Sequence, residues 1–301
     1  MIEVLRAGLC DLVMDAGRPG RGALGVPAGG AADPAALAAA NRLVGNAAGA
    51  AGLEIALVGP RLRFPGGGVA ALCGAEFAAT RSSGEPVAWN QTLVLAAGET
   101  LQLGEALDGC RCWLAVRGGL AVPEVMGSRS TFLPGTFGGH AGRALRTGDA
   151  VAVGAAVGAA GMRRAHRPSP EGPLRVIAGP QVDLFDDHGL AAFFLGRYRV
   201  DAASDRRGIR LAGAPVTGMR RELPSQGVVP GCIQVPPDGQ PIILGWDGPV
   251  TGGYPLIACV IDADRGRLAQ LRPGASVEFT TLGADEARDL AVGDWRIEEF
   301  G

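Results

Sequence analysis

The chain has little aromatic content. Among 301 residues there are 2 Tyr, 4 Trp and 9 Phe, so Ala, Val and Leu must do most of the packing. Charge of one sign is also missing: acids and bases are interspersed, and the net charge is -2. No basic stripe or stacking motif is visible, which argues against nucleic acid as a partner. The basic cluster Arg163–Arg167 reads as a solvated segment. No apolar run is long enough to span a bilayer; the blandest, 150–162, falls well short of the roughly 20 residues required. No basic-plus-apolar leader opens the sequence, so the expectation is a reduced, cytoplasmic protein without membrane association. Neither G-x-x-x-x-G-K-[ST] nor a strand-borne G-x-G-x-x-G occurs, so the chain by itself is not a P-loop ATPase or a dinucleotide-binding enzyme. The six cysteines do not make a paired zinc-knuckle pattern, and no metal site is expected.

Glycine, by contrast, is abundant: 49 residues, beside 21 prolines. With no G-X-Y period, collagen is excluded, and the glycines instead punctuate short apolar runs. Many short strands and many turns follow. Strands are expected at 2–12, 53–58, 61–64, 69–73, 92–96, 112–116, 150–153, 174–178, 198–201, 209–211, 232–235, 242–244, 256–261, 268–271 and 277–280, with a hairpin turn at 264–267. A short helix is read at 183–194. LRTGDAVAV at 145–153 echoes LRPGASVEF at 271–279, and Gly-Pro ends strands at 59–60 and 179–180. These echoes suggest two related small barrels. The domains are placed at 1–160 and 174–301, with a polar, basic, proline-bearing linker at 161–173.

The stretch Leu24–Asn46, LGVPAGGAADPAALAAANRLVGN, is the most informative. Asp33 is a good helix N-cap and Pro34 suits the first helical position. Leu37, Ala40, Asn41 and Val44 then recur at helical spacing, and Gly45-Asn46 can end the helix. A small-residue loop feeding a helix can present backbone N–H groups to an anion, or simply turn the chain.

Three loops repeat a pattern of Gly with one Asp or Arg, the second and third also with Ser or Thr. They are Gly29-Gly30 with Asp33, Gly127–Thr131 with Ser128 and Arg129, and Asp247 with Thr251-Gly252-Gly253-Tyr254. Such loops suit a carbonyl or carboxylate ligand. They also suit local turns capped by Ser and Asp. Arg18 and Arg21 can pair with a carboxylate substrate or hold their own loop. His140, among glycines, reads first as a structural donor. Asp33 and Asp247 are carboxylates that can act as acid and base if the fold brings them together.

Taken together, GVPAGGAADPAALAAANRLVGN, LE at 53–54, GP at 59–60, LAVRGGLAVPEVMGSRST at 114–131, SDRRGIRL at 204–211, GCIQVPPDGQPIIL at 231–244 and TGGYPLIA at 251–258 resemble the family formed by the C subunit of 5-oxoprolinase. That family is also called KipA-like or biotin-dependent carboxyltransferase-like, and is related to the carboxyltransferase module of urea carboxylase. The resemblance implies a mainly β fold with two cyclophilin-like β-barrel domains and a few short helices. It implies a heteromeric hydrolase in which a KipI-like B subunit, together with an A subunit, helps this chain open 5-oxo-L-proline to L-glutamate. ATP would be the co-substrate, with Mg2+, handled across the complex. Asp33, Asp247 and Arg129 are the expected catalytic residues. Gly29, Gly30, Asn41, Ser128, Thr251, Gly252 and Tyr254 are the expected substrate-binding ones. Two departures stand out. The family pattern S-G-A-M-D is Gly29-Gly30-Ala31-Ala32-Asp33 here, and D-R-Q-T-T-G-G-Y-P-K has become Asp247–Leu256 without its Arg, Gln, first Thr and Lys. A cation and two polar groups are thus absent from the expected cleft rim. The alternatives are a carboxyltransferase component using carboxybiotin and a small amide or urea, and a non-catalytic regulatory partner of a KipI-like protein.

Overall fold

The computed structural model describes residues 1–158, 161–168, 171–218, 223–290 and 295–299. The chain forms two compact units: the first comprises 1–18, 29–168 and 294–301, the second 19–28 and 169–293. The architecture is mainly β with a few short helices, as the glycine-punctuated apolar runs predict.

In the first unit the strands are β1 (Ile2–Arg6), β2 (Cys10–Met14), β3 (Gly52–Ala56), β4 (Arg61–Phe64), β5 (Gly68–Gly74) and β6 (Phe77–Arg81). They continue with β7 (Leu93–Leu95), β8 (Glu99–Ala106), β9 (Arg111–Val116), β10 (Ala150–Val151) and β11 (Arg163–His166). Two sheets result, ordered β10-β1-β4-β8-β6 and β2-β3-β9-β5-β7. The expected single strand over 2–12 is therefore two. It breaks at 7–9, where Gly8 sits too close to Val58 O and the Asp11 carboxylate for any Cβ, and the two halves join different sheets. Leu53, Ile55, Leu72, Leu101, Leu103, Cys112 and Leu114 belong to the buried core of this unit. The opposite face of β5 and β9 packs against helix α1 (Pro34–Leu43).

Helix α1 follows the sequence signals closely. The Asp33 carboxylate accepts the Ala35 and Ala36 N–H groups, both at 3.1 Å, and Pro34 fills the first turn. Ala36, Leu37, Ala40 and Leu43 are buried.

In the second unit the strands are β12 (Leu174–Ala178), β13 (Tyr198–Val200), β14 (Gly208–Ala212), β15 (Gln226–Gly227), β16 (Cys232–Gln234) and β17 (Ile242–Leu244). β18 (Thr251–Gly252), β19 (Leu256–Val260), β20 (Ser276–Val277) and β21 (Phe279–Thr281) complete it. Eight of them form one sheet in the order β20-β13-β14-β17-β16-β19-β12-β21. Its two edge strands are separated in sequence only by Glu278, so the sheet curls almost shut on itself. Helix α2 (Asp187–Phe194) supplies Phe193, which stacks on Phe279 with centroids 4.6 Å apart. The expected hairpin turn at 264–267 and strand at 268–271 are instead a 3-10 turn (Asp262–Asp264) running into helix α3 (Arg265–Leu268). Asp264 explains this: its fully buried carboxylate holds Arg175 and Arg267, and the i,i+3 spacing to Arg267 is helical.

Within the segment 161–173, β11 pairs with β22 (Arg296–Glu299) of the same unit; residues 169 and 170 lie outside the described set. Of the charged C-terminal stretch, 291–294 and 300–301 are likewise outside it.

Candidate functional site

In the first unit, two of the three loops picked out in the sequence meet at a residue that motif reasoning passed over. Asp15 follows β2 at the start of the DAGRPGRG loop and is almost fully buried. Its carboxylate accepts the hydroxyls of Ser128 and Ser130, each at 2.6 Å, the Arg129 N–H at 2.6 Å and the Gly17 N–H at 2.8 Å. Its backbone carbonyl accepts the Ala31 N–H at 3.0 Å. Asp15 thus fastens the Ser128–Ser130 loop on one side and the Gly29–Ala31 loop on the other. Gly29 and Gly30 both have positive φ, and a Cβ on Gly30 would lie 3.0 Å from the Ala16 and Gly17 backbone. Gly30 thus serves close backbone packing. Arg18 is buried beside the same loops, donating to the carbonyls of Val125 and Ser130 and lying over the Phe137 ring. It holds the loop rather than facing solvent.

Asp33 follows the Gly29–Ala32 loop and is partly buried. One oxygen caps α1, so the amides that could have met an anion are taken by the protein's own carboxylate. Burial raises the Asp33 pKa, against the helix N–H groups and Arg167, which lower it; Glu54 adds to the rise. Glu54 is itself buried on β3, accepting the Ala32 N–H at 2.8 Å and the Trp113 indole N–H at 3.1 Å, with Arg111 Nε at 3.6 Å. Two carboxylates therefore lie under and beside the Gly29–Asp33 loop.

Arg129 is held differently from the buried groups. Its guanidinium donates to the Val122 carbonyl at 3.0 Å and pairs with Glu124 at 2.8 Å, with both side chains about half exposed. An exposed pair of this kind is worth at most about 1 kcal/mol, so an incoming anion can compete for the guanidinium. Ser128 is fully buried on Asp15. Asn41 is fully buried as well: both amide hydrogens are used, on Ala48 O and Ala50 O, and its oxygen accepts from Asn46. It pins the end of α1 to the 46–50 loop. His140 sits 3.5 Å from Asp149, which is also bound bidentately by Arg143.

In the second unit Asp247 is buried and forms a salt bridge to Arg206, Nε to Oδ2 at 2.8 Å and Nη2 to Oδ1 at 3.3 Å. The backbone closes the same ring, with the Asp247 N–H on Arg206 O. Thr251 and Gly252 form β18 against Gln226 and Gly227, and Thr251 and Tyr254 are exposed. A Cβ on Gly252 would meet the end of the Gln234 side chain, which would have to move aside. Among the described residues, the buried Gln234 Nε2 makes no hydrogen bond. Gln181 and Gln226 exchange amide hydrogen bonds nearby, and Gln181 also accepts from Leu256 N–H.

Asp15 and Trp113 lie outside the motifs singled out in the sequence, and Glu54, Arg206 and Gln234 lie inside them without having been named as site residues. Glu54 had a usable signal: one acid in the apolar run Leu53–Ala56 must find partners if the run is a buried strand. Asp15 had a weaker one, an Asp two residues before a glycine, which forms an Asx-turn.

A crystal structure of Kluyveromyces lactis urea amidolyase superposes with a TM-score of 0.88 at 32% identity, over 96% of this chain and 19% of that one. The chain belongs to the carboxyltransferase domain family, subdomains A and B, matching its profile over residues 24–281. It is 39% identical over 298 residues to the C subunit of 5-oxoprolinase from Escherichia coli, spanning 95% of this chain and 93% of that protein. It is 32% identical to the urea amidolyase of Lachancea kluyveri over 96% of this chain, but spans only 17% of that enzyme. The motif resemblance and the mainly β expectation therefore hold. Among the described residues no helix is long and apolar enough to cross a membrane.

Proposed function

We propose that this chain is the C subunit of an ATP-dependent 5-oxoprolinase. Together with a KipI-like B subunit, plus an A subunit, it opens 5-oxo-L-proline to L-glutamate in the cytoplasm. The observation that carries the reading is the end-to-end match at 39% identity to a protein named as the C subunit of 5-oxoprolinase. The urea amidolyases, by comparison, carry this module as a small fraction of a longer chain.

The local chemistry is compatible with ring opening. The lactam carbonyl is a poor electrophile, so its oxygen must be activated and the attacking water deprotonated. Asp33 suits the second task. Burial makes it a stronger base than an ordinary aspartate, and the helix cap fixes its orientation. Arg129 suits a carboxylate or phosphate, because its present partner is a weak, half-exposed one. In the second unit, Asp247 acts through position: its salt bridge to Arg206 anchors the segment that leads to Thr251 and Tyr254, which can contact substrate. ATP, with Mg2+, enters as co-substrate in the assembled complex.

Co-expression with the A and B subunits, followed by an assay for ATP-dependent glutamate release, tests the proposal. Glutamate release that needs all three chains supports it. Complex formation without glutamate, under conditions where a bona fide 5-oxoprolinase is active, overturns it in favour of a regulatory partner. Carboxylation of a small amide from carboxybiotin overturns it in favour of a carboxyltransferase.

A further inference from the structure

Strands β16 and β19 are neighbours in the curled sheet of the second unit, and their register places Cys232 directly opposite Cys259. One step along, the Val260 N–H donates to Gly231 O at 2.9 Å. Antiparallel pairing alternates, so the cysteines occupy the position without cross-strand hydrogen bonds, where facing Cα atoms lie about 4.5 Å apart and side chains are closest. That spacing falls within the roughly 4.4–6.8 Å that a disulfide spans. Both thiols are free.

The surroundings favour reaction over inert packing. The neighbouring Cys259 thiol, the Val229 backbone and the Arg265 guanidinium together bring the Cys232 thiol down, against burial, while Cys259 Sγ donates to the Val260 carbonyl at 3.7 Å. The contact with Cys232, with burial, pushes Cys259 up, so one sulfur is the nucleophile and the other keeps its proton. Arg265 pairs with Asp262 through Nη2 at 2.9 Å, while among the described residues its buried Nε–H has no acceptor. Cys232 is buried at 7% exposure and Cys259 is half-buried, so a small oxidant reaches the pair from the Cys259 side. Cys73 and Cys112 make the contrast. Both are fully buried, burial pushes both thiols up, and the register sets Cys73 against Trp113 and Cys112 against Gly74.

We propose that Cys232 and Cys259 are a redox-active dithiol that closes to an intramolecular disulfide on reaction with hydrogen peroxide. The Cys232 thiolate attacks one peroxide oxygen, the O–O bond breaks, and the departing hydroxide takes up a proton to leave as water. Cys232 is then a sulfenic acid. The Cys259 sulfur attacks it, the S–S bond forms, the S–O bond breaks, and a second water leaves with the Cys259 proton. Two thiols lose two electrons to one peroxide, and two waters result.

The test uses the native full-length chain, treated with hydrogen peroxide, alkylated, and mapped by mass spectrometry without reduction. The expected product is a single 232–259 linked peptide, reversed by dithiothreitol, with Cys73 and Cys112 still recovered as thiols. Arg265→Gln slows closure several-fold at neutral pH. Cys259→Ser lets a sulfenic acid accumulate on Cys232, trapped by dimedone. The proposal is overturned if Cys232 and Cys259 remain alkylatable after peroxide, if Cys232 goes to sulfinic acid while Cys259 stays free, or if other cysteines form the cross-links. It is equally overturned if Cys232 in the Cys259→Ser protein does not react with peroxide.

Discussion

Asp15 and Asp33 of the first unit and Asp247 and Asp264 of the second are held in opposite ways, while Glu99 of the first unit, paired with Arg81, follows the second pattern. Beneath and around α1, Asp15 and Asp33 are held by hydroxyls and backbone N–H groups, all of them neutral donors. In the second unit, Asp247 and Asp264 are held by arginines. The consequences diverge. Burial raises Asp33, and the more distant Arg167 only partly offsets it. Burial also opposes the ionisation of Asp264, but the contacts with Arg175 and Arg267 together outweigh it and its pKa is lowered. A carboxylate satisfied by dipoles keeps its charge available for a proton or a ligand; one satisfied by a guanidinium has its charge committed to the fold. Under the proposed function, proton chemistry falls to Asp33 and an anchoring role to Asp247.

The sharpest break of this contrast is Asp33→Asn. The amide still caps the helix through its oxygen, so the fold is retained, but the base is gone. In the reconstituted complex, turnover is expected to fall by about 10²–10⁴-fold with little change in melting temperature. Unchanged turnover would remove Asp33 from the chemistry.

Asp247→Ala should do the reverse. It leaves Arg206 buried without its carboxylate, at a cost of about 3–5 kcal/mol in a denaturant titration. Replacing both Asp247 and Arg206 by apolar residues should cost less than either single change. An additive double variant would mean that the pair is not the anchor.

Asp11 gives a pH-dependent test. It faces the core of the first unit, with one oxygen on the Gly8 N–H at 2.6 Å, and burial raises its pKa from 3.8 to about 7. The folded state then holds a proton that the unfolded chain releases, so stability falls as pH rises from about 4 to about 7. Linkage bounds the loss at about 4 kcal/mol. Asp11→Asn should flatten that decline in thermal unfolding scans across this window. An unchanged slope would assign the decline to Asp33, which is shifted the same way.

The smallest effect is expected from Ser128→Ala or Ser130→Ala. Each removes one hydroxyl from Asp15, worth about 1.5 kcal/mol or somewhat more for a bond to a charged group. Both together should loosen the Gly29–Ala31 loop and weaken substrate binding more than stability alone accounts for, read as a higher KM.

Much of the fold is legible because its signals are local. Asp33-Pro34 followed by i,i+3,i+4 spacing specified α1 to within a residue or so, and the short apolar runs bounded by glycine marked most strands. The misread places share one cause. Residues 264–267 look like a hairpin turn and 268–271 like a strand until the buried Asp264 is seen to hold Arg175 from β12, a residue far away in sequence. The break at Gly8 depends on Val58 and Asp11 crowding it across the strands. Asn41 shows the same limit for a site: its motif placement suggested a ligand contact, and its environment gives it three structural partners.

The sequence alone determined the mainly β class, the capped helix and the family, because these depend on composition, local spacing and long ordered motifs. Tertiary structure alone decided what each charged group faces. Asp15 lies over a hundred residues from Ser128 and Ser130, Arg206 about forty from Asp247, and Cys232 nearly thirty from Cys259. A side chain's proton affinity and reactivity depend on the partners and burial at its tip, and only strand register and loop closure bring those partners within 3 Å or so.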